Sequence, residues 1–239
     1  MTTQRVAVIP AYEPNEQLLK LAEEAHQNGF FLLIVDDGSG PDYAEIFSKV
    51  EGYGKLISYS QNGGKGYALK RALSWLLENR PGIYTVITLD ADGQHTVKDA
   101  LRLCDMSEEA PDALCLGSRH LPKDAPLRSR FGNDLNRFLF RTVSGTPVYD
   151  VQTGMRAFSS SLIPFMTDAA GDRYEYEMNV LLDLVRRDVP VLEMEIETIY
   201  IDNNSSSHFK PVRDSFRIYG QILKAVGSFP KRLKKQNKS

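Results

Sequence analysis

At 239 residues, with 42% hydrophobic and 25% charged side chains, the chain can bury one sizeable core and has the make-up of a soluble globular protein. Its net charge of -2 hides an asymmetry: from His208 onward nine Lys or Arg face Asp214 alone, while 1–207 hold 20 basic and 30 acidic residues. A short polar start, no apolar run near the ~18 residues of a membrane span, and only Cys104 and Cys115, both in apolar patterns, argue against a signal peptide, a spanning helix, a disulfide framework and a cysteine metal site, and point to the cytoplasm.

Residues 5–12 read as a buried strand and 15–29 as a helix ended by Gly29. A second apolar strand, 30–39, breaks on Asp36, Asp37, Gly38 and Ser39. A helix over 41–50, a strand over 55–60 and a helix over 66–80 follow, the last opening after the turn NGGKG at 62–66. A strand is predicted over 84–93, a helix from the Thr96 cap to 109, and a strand over 113–119. Beyond them the pattern loosens: a helix over 129–145, a loop and short strand over 150–159, an amphipathic helix over 174–188, a half-exposed strand over 191–201 and a polar loop at 203–208. Apolar strands alternating with helices predict an α/β domain with a mostly parallel central sheet and helices on both faces. We place that domain at 1–207, with 208–239 as a basic amphipathic helix and tail packed on it or continuous with it.

In open sheets of this kind ligands bind beyond the carboxyl ends of the strands. The polar clusters fall there: Tyr12 with Glu13, Asp36 with Asp37, Asn62 to Lys65, Asp90 with Asp92, and Ser118 with Arg119. In an extended segment Asp90 and Asp92 project to one side. Such a pair suits one hard cation, Mg2+ or Mn2+, which takes one or two carboxylates and completes its shell with substrate phosphate. A turn Asp pair ahead of Gly93 is the plain alternative. An acid at a strand end, as in VDDGSG, can accept hydrogen bonds from a sugar or a base. The NGGKG turn lets backbone N–H groups and the Lys65 ammonium approach an anion. No Ser or Thr follows Lys65, which disfavours an ATPase phosphate loop.

In order, IPAY, VDDGS, NGGKGYA, DADGQH, GSR and DVQTGMRAF resemble a family 2 glycosyltransferase of the GT-A (Rossmann-like) fold. Within that family the chain is similar to bacterial polyprenyl-phosphate glycosyltransferases and dolichol-phosphate mannose synthases, over residues 5–226. The resemblance implies inverting transfer of a sugar from a UDP- or GDP-linked donor to a polyprenyl phosphate. It implies a nucleotide-sugar site made by Pro10, Ala11, Tyr12, Glu13, Asp37, Asp90, Ala91 and Asp92, with Asp36 beside them and Lys65 nearby. Asp90, Asp92 and Gln94 would face the metal, a Lewis acid on the leaving diphosphate, and His95 would take a neighbouring hydrogen-bonding role. The start AYEPN departs from the family's frequent AYNE, so Glu13 and Glu16 are alternatives for that acid.

A phosphate acceptor is already an anion and needs cationic positioning more than a strong base. Arg119, Arg128, Arg130, His208, Lys210 and Arg213 are the acceptor candidates, since basic side chains, Arg above all, suit phosphate. By resemblance Arg119, Arg130 and the 205–214 loop lie toward the acceptor, and Asp150 lies near the reacting centre as base or acceptor-orienting acid. Asp150, Arg119 and Arg130 are therefore the catalytic candidates, with Glu175 and Glu177 as lesser ones on that edge. After Pro211, Val212, Phe216, Tyr219, Leu223 and Val226 recur at helical spacing, with Arg213, Arg217 and Lys224 on an adjacent face. This describes a helix lying on an anionic membrane or one packed on the sheet. Partners expected are the inner membrane face or a separate membrane subunit; nucleic acid is not, for lack of aromatic interleaving and of any RNA or DNA motif. Rival readings are a soluble or cell-envelope saccharide acceptor, a sugar nucleotidyltransferase, and a non-catalytic nucleotide-sugar-binding subunit.

Overall fold

Seven strands form one sheet in the computed structural model, which describes residues 4–119 and 137–199. They are β1 (Arg5–Ala11), β2 (Phe31–Asp36), β3 (Gly54–Ser58), β4 (Thr85–Thr88), β5 (Leu114–Arg119), β6 (Arg156–Ser159) and β7 (Val191–Ile196), in the order β3-β2-β1-β4-β6-β5-β7. Neighbours run parallel except β6, which is antiparallel to both β4 and β5. The helices are α1 (Glu16–Gln27), α2 (Ala44–Val50), α3 (Lys65–Asn79), α4 (Val97–Glu109), α5 (137–144), α6 (Ile163–Thr167) and α7 (Glu175–Arg186).

The inner strands β1 and β2 are apolar along nearly their whole length because both faces are covered, whereas the edge strands β3 and β7 alternate. Side chains alternate along β1: Val6 and Val8 join the layer of α3, α6 and α7, while Ala7 and Ile9 join that of α1, α2 and α4. Each fully buried Ile or Leu in these layers contributes up to about 3 kcal/mol. Local signals start and stop the helices. Asn15 accepts the Gln17 N–H at 2.9 Å and Thr96 the Asp99 N–H at 3.0 Å. Gly29 leaves α1 at φ 81°, a left-handed conformation that costs glycine least. Cys104 and Cys115 are buried free thiols, and burial pushes them up to about 12 and about 11, so they pack rather than react.

One local expectation is corrected. The strand predicted over 84–93 stops at Thr88, so Asp90 and Asp92 lie in a turn and not on one side of an extended segment. Its antiparallel neighbour β6 has its first pair at Thr88 with Arg156, and the Thr88 hydroxyl donates to the Gly154 carbonyl at 2.6 Å. With no ladder partner left, the Asp90 N–H donates instead to His95 Nδ1 at 2.9 Å.

The order of the sheet decides where a ligand can sit. Consecutive strands run outward one way from β1 to β2 to β3, whereas β4 lies on the other side of β1. The segments leaving β1 and β4 diverge at this switch point and leave a crevice between them. Arg128, Arg130, His208, Lys210 and Arg213 lie outside the described residues, as do the first part of the helix expected at 129–145 and the segment 208–239. Among the described residues no helix is long and apolar enough to cross a membrane.

Candidate active site

The crevice is a cleft of about 700 Å³. Pro10, Ala11, Tyr12 and Glu13 line it from the end of β1, and Asp90, Ala91 and Asp92 from the turn after β4; Asp37 and Lys65 lie between. The structure thus gathers nine of the ten residues expected at a nucleotide site. Asp36 is the exception. Its Oδ1 accepts the Ser39 N–H at 2.9 Å, and the Ser39 hydroxyl accepts the Glu13 N–H at 2.9 Å, so Asp36 braces the cleft from behind. That brace holds Glu13 at φ 49°, which is uncommon for a residue with a side chain.

The glycine turn does bind an anion, but one of the protein's own. Asp37, buried, accepts the Gly63 N–H at 2.8 Å, the Gly64 N–H at 2.9 Å and the Tyr59 hydroxyl at 2.6 Å. Burial first, then the hydrogen bond and charge of Asp37, push the Tyr59 phenol well up. Gly64 sits at φ 100°, and a Cβ there would meet the Asp172 carbonyl oxygen at 2.5 Å. The turn is therefore bare for two reasons, its backbone angle and the segment packed on it.

Lys65, the first residue of α3, places its ammonium 2.6 Å from Asp90 Oδ1 and 3.1 Å from Glu177 Oε1 on α7. Burial opposes its charge, but the two carboxylates outweigh burial and keep it protonated. Burial likewise opposes the charge on Asp90, yet Lys65 and His95 hold its carboxyl down at about 2. His95 is buried, which pushes it down to about 4 despite the pull of Asp90. It is neutral near pH 7, and because Nδ1 accepts the Asp90 N–H, the ring proton sits on Nε2.

Asp92 is in the opposite situation. Burial and then the charge of Asp90 raise its carboxyl above the usual range, and among the described residues it forms no ion pair. Its Oδ1 accepts the Gln94 N–H at 3.0 Å, which is where the structure places Gln94, outside the cleft wall. Among the described residues one carboxylate of the pair has a counterion and the other lacks one. That imbalance, together with an all-oxygen donor set, fits a hard divalent cation. Among the described residues no cluster of three acids, His or Cys could hold one unaided, so phosphate oxygens of a ligand would complete the shell.

Below the cleft the segment 150–156 is pinned from several sides. Arg156, buried, donates to the carbonyls of Thr153 at 3.0 Å, Glu177 at 2.7 Å and Val151 at 3.4 Å. The Thr153 hydroxyl donates to the Gly117 carbonyl at 2.6 Å. Asp150 is buried; its Oδ2 accepts Arg119 Nε at 3.1 Å and its Oδ1 accepts the Gln152 N–H at 3.2 Å. Asp150 is the main cause of a raised Arg119, with burial opposing and Asp90 and Asp92 adding to it. Glu193 on β7 accepts the Tyr149 N–H at 2.9 Å, the Asp150 N–H at 3.2 Å and the Ser118 hydroxyl. Glu193 carried no sequence signal, because its strand alternates as any edge strand does. Tyr43, Arg173 and Tyr174 also line the cleft and were not singled out.

The model of the family described as "Glycosyl transferase family 2" matches residues 6–164, well over half of the chain. The chain belongs to glycosyl transferase family 2. Among relatives of this family 2 glycosyltransferase is an uncharacterized protein of Methanocaldococcus jannaschii, 32% identical and covering 83% of both chains. Another is the UDP-N-acetylglucosamine–dolichyl-phosphate N-acetylglucosaminyltransferase of Methanococcus voltae, 27% identical over 90% of this chain and 93% of that one. The crystal structure of glucosyl-3-phosphoglycerate synthase from Mycobacterium tuberculosis, in complex with Mn2+, UDP and glucosyl-3-phosphoglycerate, superposes with a TM-score of 0.68. It covers 96% of this chain and 82% of that one at 18% identity, and so shares the fold, the GT-A fold expected from the sequence.

In this glycosyltransferase Gly154 lets the backbone pass close to the Asp90 carboxylate. A Cβ there would stand 2.4 Å from Asp90 Oδ2 and 2.7 Å from Lys65 Nζ. Gly154→Ala is expected to lower turnover by about 10- to 100-fold through misplacement of Asp90, at a stability cost of about 1–3 kcal/mol. Steady-state kinetics read beside a melting curve checks this; wild-type turnover would show that the pair tolerates displacement.

Proposed function

We propose that this glycosyltransferase moves a sugar from a UDP- or GDP-linked donor onto a polyprenyl phosphate, with inversion at the anomeric carbon. The observation that carries the reading is the cleft at the β1/β4 switch point with Asp90 and Asp92 on its wall, one paired with Lys65 and the other without a counterion among the described residues. The methanococcal relative named for transfer to dolichyl phosphate, which matches nearly end to end, supports a lipid-phosphate acceptor.

Asp90 and Asp92, with Gln94 alongside, would hold Mg2+ or Mn2+ together with the donor diphosphate. Such a cation would supply Lewis-acid neutralisation of charge on the leaving group. Pro10, Ala11, Tyr12, Glu13, Asp37 and Ala91 shape the nucleotide side of the cleft, and Lys65 fixes the rotamer of Asp90. An oxygen of the acceptor phosphate attacks the anomeric carbon from the face opposite the diphosphate. The new C–O bond forms as the bond to the diphosphate breaks, and the electron pair leaves on the nucleoside diphosphate. The acceptor is already an anion, so no proton has to be removed at the attacking oxygen. Asp150, whose oxygens serve Arg119 and Gln152, positions Arg119 for the acceptor phosphate instead of acting as a base. Arg128, Arg130, His208, Lys210 and Arg213 complete the acceptor side, with 1–207 as the catalytic domain. The basic segment 208–239 attaches the enzyme to the anionic inner face of the membrane or to a membrane subunit.

A donor and acceptor screen tests this. UDP-glucose, UDP-N-acetylglucosamine, UDP-galactose and GDP-mannose are offered with and without polyprenyl phosphate while nucleotide release is followed. Release that requires the lipid phosphate is the expected result. Release driven by a soluble saccharide in place of lipid would replace the acceptor, and formation of a sugar nucleotide would overturn the reaction class.

A further inference from the structure

We infer that Arg173 is a donor-binding residue, a guanidinium clamp for the diphosphate of the nucleotide sugar; the inference rests on the function proposed above and assigns a residue beyond 6–164, the part matched to the family. Charge within the cleft motivates it. Four acids line the cleft, Glu13, Asp37, Asp90 and Asp92, against two cations, Lys65 and Arg173. The Lys65 charge is spent on Asp90 and Glu177. Among the described residues the Arg173 guanidinium has no carboxylate partner. A nucleoside diphosphate entering an acidic cleft needs positive charge beyond one divalent ion, and Arg173 is the uncommitted source of it among the described lining. A planar fork of donors also matches adjacent phosphate oxygens better than an ammonium does.

The backbone around Arg173 is built to hold it at this place. The Tyr67 N–H donates to the Asp172 carbonyl at 2.9 Å, and the Lys70 ammonium lies 2.6 Å from the Asp172 carboxylate. The Tyr176 N–H donates to the Arg173 carbonyl at 3.1 Å, tying the residue to the start of α7. A Cβ on Gly64 would come within 2.7 Å of Arg173 Cγ, so the stem of the arginine lies across the bare glycine turn. Arg173 is exposed and lines the cleft. A surface arginine with no role has no reason for such anchoring, whereas a ligand-binding one loses less entropy on closing.

The test is isothermal titration of wild type, Arg173→Ala and Arg173→Lys with UDP and with GDP, in Mn2+, at low salt and in about 0.5 M salt, which screens exposed charges. The expected result is a Kd for the bound nucleotide about tenfold weaker in Arg173→Ala at low salt. Arg173→Lys should fall between, because charge is kept and the fork lost, and the difference should shrink at high salt. Melting temperatures of all three proteins should agree, since the side chain is exposed. An Arg173→Ala affinity within about twofold of wild type overturns the role of Arg173 and leaves the proposed function standing. A wild type that binds neither nucleotide overturns that function, and the role of Arg173 with it.

Discussion

Replacing Lys65 by methionine is expected to cost about 3–5 kcal/mol of stability, the largest loss from any single change at the cleft. The methionine fills the space of the lysine stem but leaves Asp90 and Glu177 facing each other without the ammonium that lies 2.6 and 3.1 Å from them. Both carboxylates are shielded from water, with side-chain exposures of 29% and 8%, so solvent compensates neither well. The double variant Lys65→Met, Glu177→Gln should recover part of the loss, because only Asp90 then remains charged. Chemical denaturation of wild type, both single variants and the double variant gives the coupling directly. A Lys65→Met protein within about 1 kcal/mol of wild type would mean that the trio carries no structural weight.

Asp92→Asn is expected to behave in the reverse way, with stability kept and function lost. Burial and Asp90 both raise the Asp92 carboxyl, so its charge disfavours folding, and removing the charge relieves repulsion. The amide retains an oxygen for the Gln94 N–H that Asp92 Oδ1 now accepts. The melting temperature should therefore match or exceed that of wild type near pH 7. Sugar transfer should fall by about 10²–10³-fold, the scale of one lost electrostatic contact to a developing charge. Mn2+ titration followed by electron paramagnetic resonance, with nucleotide present, should show weakened metal binding in the same protein. Wild-type rates with wild-type Mn2+ affinity would remove Asp92 from the metal-facing group.

These two variants separate what was legible in the residues from what was not. The Asp90–Asp92 pair, the β1 end at Pro10 to Glu13 and Asp37 stand out in the sequence because each ends an apolar run, and the sheet brings all of them to one cleft. Caps were equally legible: Asn15, Thr96 and Gly29 act within a few residues of themselves. The apolar pattern over 84–93 overruns β4 because it marks burial and not strand pairing: Leu89 is buried and its N–H still reaches the Val8 carbonyl at 3.0 Å, yet the strand ends at Thr88. The glycine turn showed that an anion sits there but not that the anion is Asp37. Glu193 beneath Asp150, and Arg173 across Gly64, gave no signal, since an edge strand and a helix start each place charged residues toward water by default.

The α/β class, the strand ends on which polar groups gather and the acidic pair that serves as metal-facing group in our reading can all be read from the residues alone. All three depend on interactions between near neighbours, on side-chain period and on the chemistry of a few adjacent residues. That β6 runs against its neighbours, that Lys65 belongs to Asp90 and Glu177 while Asp92 has no counterion among the described residues, and that Arg173 overlooks the cleft were settled by the folded arrangement. Those outcomes depend on charges and backbone groups far apart in the chain meeting at one place, and the energy of each pairing exists only once the sheet has closed around it.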